Sequence, residues 1–405
     1  MKRSRLSVAC LIVTVGFAVV VVTGRAQPPT PDPEAYRARQ VSGSARMESA
    51  GLAAPFKGVT TNGTVVPGLY PIRSTGVSTS PVVDATRRFL DALTAEQRRK
   101  TSFAENDGEW RKWANQHAYL RQGMSFDEMT DEQRRAATAM LAAALSAKGL
   151  QLTADIMRLN ETLGELRGGN FVEYGEGKYW ITVMGEPSTT EPWGWQLDGH
   201  HLVLNYFVLG SQVVMTPAFW GSEPAVAHSG KYAGTAVMQD EQQQALAMVR
   251  ALTDQQRARA ILATPKTRNN ILTQAFSDNV VLDYAGVPVS SFTAAQKQQL
   301  LDLIRLYVGN LRDEHARVHM ADVEARLDDT YFAWIGETKD DSVYYYRIHS
   351  PVVLIEFDHE TPVGLRHLYP PGVPYREHIH AIVRTPNGND YGKDLLRQHY
   401  AQHPH

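Results

Sequence analysis

The chain has 405 residues, of which 43 % are hydrophobic and 21 % are charged, and its formal net charge is −2. These fractions are typical of a globular protein and exclude a disordered, collagen-like or rod-shaped coiled-coil chain. Because there is no excess of basic residues, a protein dedicated to binding nucleic acid is also disfavoured. At about 100–200 residues per domain, the length predicts two domains or one large duplicated domain.

The N-terminus has the pattern of a secretory signal peptide over residues 1–26. A basic start is followed by an apolar stretch from Leu6 to Val22 and by small residues that end at Ala26. We therefore expect cleavage after Ala26 and a secreted or periplasmic protein without an integral membrane segment. The alternative is a retained anchor, because the apolar stretch is about as long as a short transmembrane helix. Cleavage would remove four basic residues and no acidic ones, and the net charge would become −6.

The only cysteine, Cys10, lies inside this leader. The mature chain would therefore contain no disulfide, no thiolate nucleophile and no zinc site with cysteine ligands. The sequence also lacks a Gly-rich phosphate loop and a Gly-x-Ser-x-Gly motif, so neither nucleotide binding nor a serine hydrolase is supported.

Two kinds of segment follow the leader. Residues 27–80 are rich in Pro, Gly, Thr and Ser without a helical period, which predicts an extended arm with turns. Further along, Thr-x-x-Gln recurs four times, a pattern that predicts capping boxes at the starts of helices. These segments begin at Thr94, Thr130, Thr253 and Thr293.

The order of these segments predicts an internal duplication. Each pair of capping boxes is followed by a helix and an aromatic strand, and residues 193–206 then align with 344–357 without a gap. Each half therefore reads as three helices and an antiparallel meander of strands. We predict an α+β fold in which two such units, 81–230 and 240–405, are related by a pseudo-twofold axis. The alternative is chance recurrence of common helix–hairpin units.

Polar residues that occur in only one half are candidates for function, because the shared fold does not require them. His200 and His201 align with apolar residues of the second half, and Glu356 aligns with Asn205. These positions lie on the strand segments where the two halves otherwise agree. The comparison of the halves therefore selects histidines and a carboxylate as candidate functional residues.

The segment 377–384 carries the sharpest pattern. Alternate side chains of a strand share a face, so His378, His380 and Arg384 are expected on one side. Two histidines spaced i, i+2 on a strand are a common pair of metal ligands. We predict a site for a divalent transition metal, built by both halves. Its ligands are taken from His200, His201, Glu356, His378 and His380.

Arginine beside these histidines indicates an anionic ligand. The loop after Arg384 places Asn389 and Asp390, either of which can cap the last helix, near the end of the histidine strand. We predict these three residues as ligand-binding, and Glu356, His201 and Arg384 as catalytic. The alternative without a metal is an imidazolium that binds carboxylate or phosphate together with the arginine.

A second histidine pair, His315 and His319, has the i, i+4 spacing of helical zinc sites. Its glutamate precedes the first histidine, so the metalloprotease motif is not met. Charged neighbours at Asp313, Arg317 and Asp322 predict a solvated helix face with a structural role.

Two sequence blocks, Trp193–His201 and His378–Gly392, resemble a widespread family of exported bacterial proteins known as a domain of unknown function. The resemblance covers most of the chain from about residue 81. It implies a bacterial protein that is secreted or periplasmic, and it supplies no activity, cofactor or catalytic residue.

Together these observations predict an exported enzyme with a histidine-based, metal-dependent site that acts on a small anionic molecule by hydrolysis or oxidation. The alternative is a non-catalytic periplasmic binding or scaffold protein. In that interpretation the histidines and Arg384 bind an anionic ligand or are structural.

Overall fold

A computed structural model describes residues 29–403, so the predicted signal peptide at 1–26 lies outside the described residues. The described part of the chain contains helices and one large mixed sheet of 13 strands, which confirms the α+β class. Between residues 29 and 403, no helix has both the length and the apolar character needed to cross a membrane.

The α-helices of this range are α1 Pro33–Gly51, α2 Ser80–Asp91, α3 Ala95–Thr101, α4 Asp131–Ala144, α5 Ala147–Leu166, α6 Gln239–Arg250, α7 Asp254–Ala260, α8 Ala294–Val308, α9 Asp313–Glu324 and α10 Lys393–Gln402. The strands are β1 Ser102–Phe103, β2 Met124–Ser125, β3 Tyr179–Met184, β4 Trp193–Gly199, β5 Leu202–Leu209, β6 Gln212–Val214, β7 Ala218–Ser222, β8 Ile261–Ala263, β9 Val287–Pro288, β10 Tyr331–Gly336, β11 Tyr344–His349, β12 Leu354–His359 and β13 Ile379–Arg384.

All four predicted capping boxes are present, and they begin helices α3, α4, α7 and α8. In each, the threonine side chain accepts a hydrogen bond from the main-chain amide of the glutamine three residues later. The glutamine side chain returns a bond to the threonine amide, so two amides at the helix start are satisfied. The threonines are Thr94, Thr130, Thr253 and Thr293.

The extended arm predicted over residues 27–80 is wrong for its first part, where α1 forms instead. Asp32 caps this helix by accepting from the amides of Glu34 and Ala35, and Pro33 occupies its first position. The helix lacks an apolar stripe, so no helical period is visible in its sequence. It packs through polar contacts, among them a hydrogen bond from Tyr36 Oη to the carbonyl of His117 (2.9 Å).

The sheet joins both halves of the chain. Its strand order is β1-β3-β4-β5-β7-β13-β12-β11-β10-β8, with β2 on β3, β6 on β5 and β9 on β10. The pairs β1–β3 and β8–β10 are parallel, and the other pairs are antiparallel. Strands from residues 81–230 and from 240–405 meet at the antiparallel pair β7–β13, so the centre of the sheet is where the halves contact each other.

The two faces of the sheet are covered differently. On the first face, side chains such as Leu204, Trp334 and Phe357 pack against α2, α4, α5, α6, α8 and α9 in one continuous apolar core. The second face is covered by α10 and by long connecting segments, with a smaller apolar cluster around Trp110 and Phe219. Alternation along each strand assigns successive residues to opposite faces, as the period of two requires.

Charged and polar side chains are concentrated on the second face and are nevertheless buried. Asp358, for example, is inaccessible to solvent and lies 2.9 Å from Lys266 Nζ. Buried charges are tolerated when they are paired and hydrogen-bonded. The others of this set are Gln196, Asp198, Asn205, Arg347, Glu356, His380 and Arg384.

Candidate metal centre

The His200-His201 dipeptide forms the turn between β4 and β5, next to the Gly199–Leu202 pair. His201 has a φ of 61°, which is the left-handed region that turns often require. Its amide donates to the carbonyl of Asn115 (3.0 Å), and its carbonyl accepts from the amide of Gly221 (2.8 Å). These bonds fix the turn against β7, so the imidazole of His201 is held beside the neighbouring strand β13.

His378 and His380 come from the start of β13. His380 lies opposite Asp358 of β12 on one side and opposite Gly221 of β7 on the other. A side chain at position 221 would have its Cβ 3.2 Å from the His380 ring and 2.5 Å from the carbonyl oxygen of Ile379. Glycine at this position therefore leaves the space in which the His380 ring lies.

The three imidazoles converge on one point. His378 Nε2 lies 3.3 Å from His201 Nε2 and 3.1 Å from His380 Nε2, and one ligand atom of each residue falls within 4.8 Å of the others. Nitrogens bound to a tetrahedral metal at about 2.0–2.1 Å are about 3.3 Å apart. The two distances that involve His378 therefore fit a single metal ion, and the His201 and His380 ligand atoms lie within 4.8 Å of each other.

The second nitrogen of two of the rings lies beside an oxygen atom. His378 Nδ1 donates to the carbonyl of Thr361 (2.7 Å), and His380 Nδ1 lies 3.0 Å from a carboxylate oxygen of Glu360. Because a proton on Nδ1 leaves the lone pair on Nε2, both rings present an acceptor to the shared point. Such outer partners are typical of metal-bound histidines.

Burial sets the charge of this cluster. It lowers the pKa of His201 well below its ordinary value, with further lowering by the neighbouring rings, and it also lowers the pKa of His378. For Glu360 burial opposes ionisation, but the nearby His380 outweighs it and the pKa of the carboxyl group is lowered. At neutral pH His201 and His378 are therefore neutral imidazoles, which is the form that binds a metal, and the Glu360 carboxylate beside the cluster is ionised.

The other two predicted metal ligands lie outside this group of three. His200 stacks on His201 with 3.9 Å between ring centroids, and its Nδ1 lies 2.8 Å from Asn160 Oδ1. Glu356 points to the same face as His380, but its carboxylate accepts from the amide and hydroxyl of Thr273 and from Tyr345 Oη. Both side chains are thus occupied by contacts that the sequence did not indicate.

The structure places Arg384, predicted to bind an anionic ligand, in a buried network of ion pairs. Its guanidinium is fully buried and lies 2.9 Å from Asp278 and 3.0 Å from Asp390, so two carboxylates already neutralise it. Asp390 also accepts from the amide of Thr385, and it does not cap α10. Asn389 Oδ1 makes only a long contact with the amide of Leu395 (3.4 Å). These residues tie the end of β13 to a distant loop.

The pair on α9 also differs from the prediction of a solvated face. His315 is buried, and His319 Nε2 lies 2.7 Å from the carbonyl oxygen of Val213 on β6. Neither residue belongs to the group of three converging histidines. The spacing therefore reflects packing of α9 on the sheet.

Glu360, the carboxylate nearest to the His380 ring, was not among the predicted site residues. The same period of two that placed Glu356 and Asp358 on one face would have reached Glu360 at the next step. Glu223 was not predicted either; it accepts from the amides of Gly364 (2.6 Å) and Leu365 (3.1 Å) and lies 3.9 Å from His378 Nδ1. No pattern in the sequence connects residue 223 with residue 364.

Comparison with known proteins identifies the family and nothing more specific. No curated protein and no solved structure matches this chain. One family model covers residues 75–393, which includes all three converging histidines and most of the sheet. The chain therefore belongs to the family described as "Protein of unknown function (DUF3500)".

Proposed function

We propose that this protein is an exported, metal-dependent enzyme that acts on a small anionic molecule. The metal would be a divalent transition metal held by His201, His378 and His380. The observation that carries the proposal is the convergence of three buried imidazoles, with His378 Nε2 lying 3.3 Å from His201 Nε2 and 3.1 Å from His380 Nε2. Three neutral imidazoles form a ligand set for zinc, copper, iron and nickel, and three ligands leave a coordination position for substrate.

When bound, such a metal acts as a Lewis acid for hydrolysis or as a redox centre for oxidation, and its identity decides between them. The protein's own residues have defined tasks around it. Glu360 orients the His380 ring and raises its basicity, and the Thr361 carbonyl does the same for His378. Glu223 accepts from all three amides of the 363–365 segment and keeps that segment beside His378.

Export is part of the proposal and is supported by the sequence of residues 1–26. A basic start, an apolar middle and small residues before Ala26 are what a signal peptidase substrate requires. The alternative of a retained anchor predicts a membrane-bound protein of full length. Mass spectrometry of the protein from its native cell fraction decides between the two, because cleavage gives an N-terminus at Gln27.

We also infer that the sheet arose by internal duplication. The strand order supports this, because a parallel outer pair and three antiparallel strands occur in mirrored order on both sides of the β7–β13 pair. The register supports it too. Gln196 pairs with Asn205 across β4–β5, and Arg347 pairs with Glu356 across β11–β12, so both pairs follow the alignment of the two halves.

Contacts between the helices repeat in the same way. The side chain of Gln133 donates to Gln97 Oε1 (2.8 Å), and that of Gln296 donates to Gln256 Oε1 (2.9 Å). Gln133 Nε2 also donates to the carbonyl of Ala92, two residues before the capping box at Thr94. In the same way, Gln296 Nε2 donates to the carbonyl of Ala251, two residues before the capping box at Thr253. Chance recurrence of helix–hairpin units does not require these tertiary contacts to match.

Metal analysis tests the proposed function. Protein purified without chelator is expected to contain close to one equivalent of a transition metal, or to take up one equivalent of zinc, iron, copper or manganese on titration. His378→Ala and His380→Ala should each lose this binding. Glu360→Gln should weaken it by about 10–100-fold, because a lost outer partner has that effect. His315→Ala, a buried histidine of the first face, is the matched control and should bind as wild type does.

The alternative of a binding or scaffold protein makes a different prediction. It expects no stoichiometric metal, no uptake on titration, and only loss of stability in His378→Ala and His380→Ala. That result would overturn the metal-dependent enzyme.

A further inference from the structure

A pocket lies near the candidate metal centre, between α1, the end of α5 and the segment that follows β12. Its volume is about 170 Å³, similar to an engineered cavity of about 150 Å³ that holds benzene. The side chains that matter for its chemistry are Arg39, His117, Arg167, Glu173, Tyr174 and Arg366. We call it the Arg167 pocket.

Arg167 is the unusual member of this set. It follows the last residue of α5 and is only 6 % exposed, and its Nε and Nη1 atoms are buried without a hydrogen-bond partner. Among residues 29–403, no carboxylate lies within 4.0 Å of its guanidinium. The carbonyl end of a helix favours a cation, but this effect is weaker than the cost of burying an unpaired charge.

The charges around the pocket do not balance. Three guanidinium groups line it, and Glu173 is the one carboxylate. That carboxylate is already used, because one oxygen lies 3.1 Å from Arg39 and the other accepts from Asn170 Nδ2 (2.7 Å). Arg366 is exposed at the rim. Arg167 and Arg366 therefore add positive charge that the described part of the chain leaves uncompensated.

We propose that the Arg167 pocket binds an oxyanion, the carboxylate or phosphate group of a small molecule, with Arg167 as its anchor. No carboxylate of the described chain neutralises the Arg167 guanidinium, and its unpaired Nε–H and Nη1–H groups are charge-assisted donors for oxygens of such a group. The predicted anion receptor, Arg384, is fully paired, whereas Arg167 has the donors that an anionic ligand needs.

The pocket is linked to the metal centre through aromatic rings. His117 lies in its wall, 5.3 Å from the ring of His200, which stacks on His201 at 3.9 Å. His200 and His117 also line the adjoining pocket under α1, together with Arg121 and Lys178. The inference that the bound oxyanion is part of the enzyme's substrate rests on the proposed function. The inference that the pocket binds an oxyanion is independent of it.

Calorimetric titration of the full mature protein, freed of metal, tests the site with inorganic phosphate and with succinate. Sodium chloride at matched ionic strength is the reference. One or both oxyanions are expected to bind and to raise the melting temperature, and the stronger of the two identifies the chemical class. Arg167→Met should weaken binding about tenfold or more, because charge-assisted hydrogen bonds are lost. Arg158→Met, a paired arginine on the same helix, should bind as wild type does.

Arg366→Met keeps the test decisive if Arg167→Met does not fold, because residue 366 is exposed and its loss should weaken binding by several-fold. The site is overturned if neither oxyanion exceeds chloride, or if folded variants at both arginines bind as wild type does. Metal titration of the same proteins separates the two proposals. Arg167→Met should keep wild-type metal affinity, and His380→Ala should keep oxyanion binding.

Discussion

The two faces of the central sheet are equally buried, but they are stabilised in different ways. On the first face, side chains such as Leu204 and Phe357 contact helices through apolar packing, which needs no particular partner. On the second face, each charged side chain has a specific partner from a distant segment. Asp358 has Lys266, Arg384 has Asp278, and Asp198 has Arg121; these are three examples of the same arrangement.

This difference shows where function is expected. Burial of a charged pair is tolerated only when the pair is complete, so a polar face is sensitive to the loss of single residues. The three histidines at the β7–β13 junction are the exception on the second face, because their Nε2 atoms face one another and no counter-charge lies between them. The metal ion that we propose would be the partner of this group.

The largest effect is expected from breaking the pair network of the second face. Arg384→Met leaves Asp390 and Asp278 buried without their shared guanidinium, and we expect the free energy of unfolding to fall by about 3–5 kcal/mol. Urea denaturation at pH 7 measures it. The double variant Arg384→Met/Asp390→Asn should recover part of the loss. A loss below about 1 kcal/mol would show that the network is not coupled in this way.

Two neighbouring residues of β5 compare the faces directly. Leu204→Ala opens a cavity on the first face and should cost about 2–5 kcal/mol. Asn205→Ala, on the second face, removes the acceptor of Gln196 and the donor to Pro217, and should cost about 1–3 kcal/mol. Chemical denaturation of both variants gives the ranking. Equal or reversed losses would contradict the distinction between packing and pairing.

The smallest expected effect depends on pH. Burial raises the pKa of Glu109, beneath the second face, to about 7, and Lys112 opposes this only in part. The pKa in the folded state is above that in the unfolded state, so this carboxyl group stabilises the fold below about pH 4.5. That contribution is lost as the pH rises to about 7. Glu109→Gln should lack this dependence and be more stable than wild type at pH 8, by up to about 3 kcal/mol. Denaturation series at pH 4, 6 and 8 test it, and parallel curves for both proteins would refute it.

Much of the fold could be predicted from local patterns. The four capping boxes begin helices where Thr-x-x-Gln predicts them, because both hydrogen bonds of the motif lie within four residues. Helix α1 could not be found in this way, because it has no apolar stripe and is held by polar contacts such as Tyr36 with the carbonyl of His117.

The candidate site could be predicted in part, because the alternation of side chains along a strand is also a local property. His378 and His380 were placed on one side of a strand, and the structure brings them together with His201. Glu356 and Arg384 lie on the predicted side of the sheet, but each is already bound by a loop residue. Thr273 donates to Glu356, and Asp278 forms an ion pair with Arg384. No sequence pattern predicts the Arg167 pocket, because its charged residues come from three segments that no motif connects.

Spacing along the chain alone determined which side chains share a face, since the backbone of a strand alternates every residue and that of a helix repeats every 3.6. Tertiary structure alone decided which of those side chains remain available to bind. Whether a buried charge is neutralised depends on residues far away in the sequence, and Coulomb and hydrogen-bond partners are chosen by distance in space.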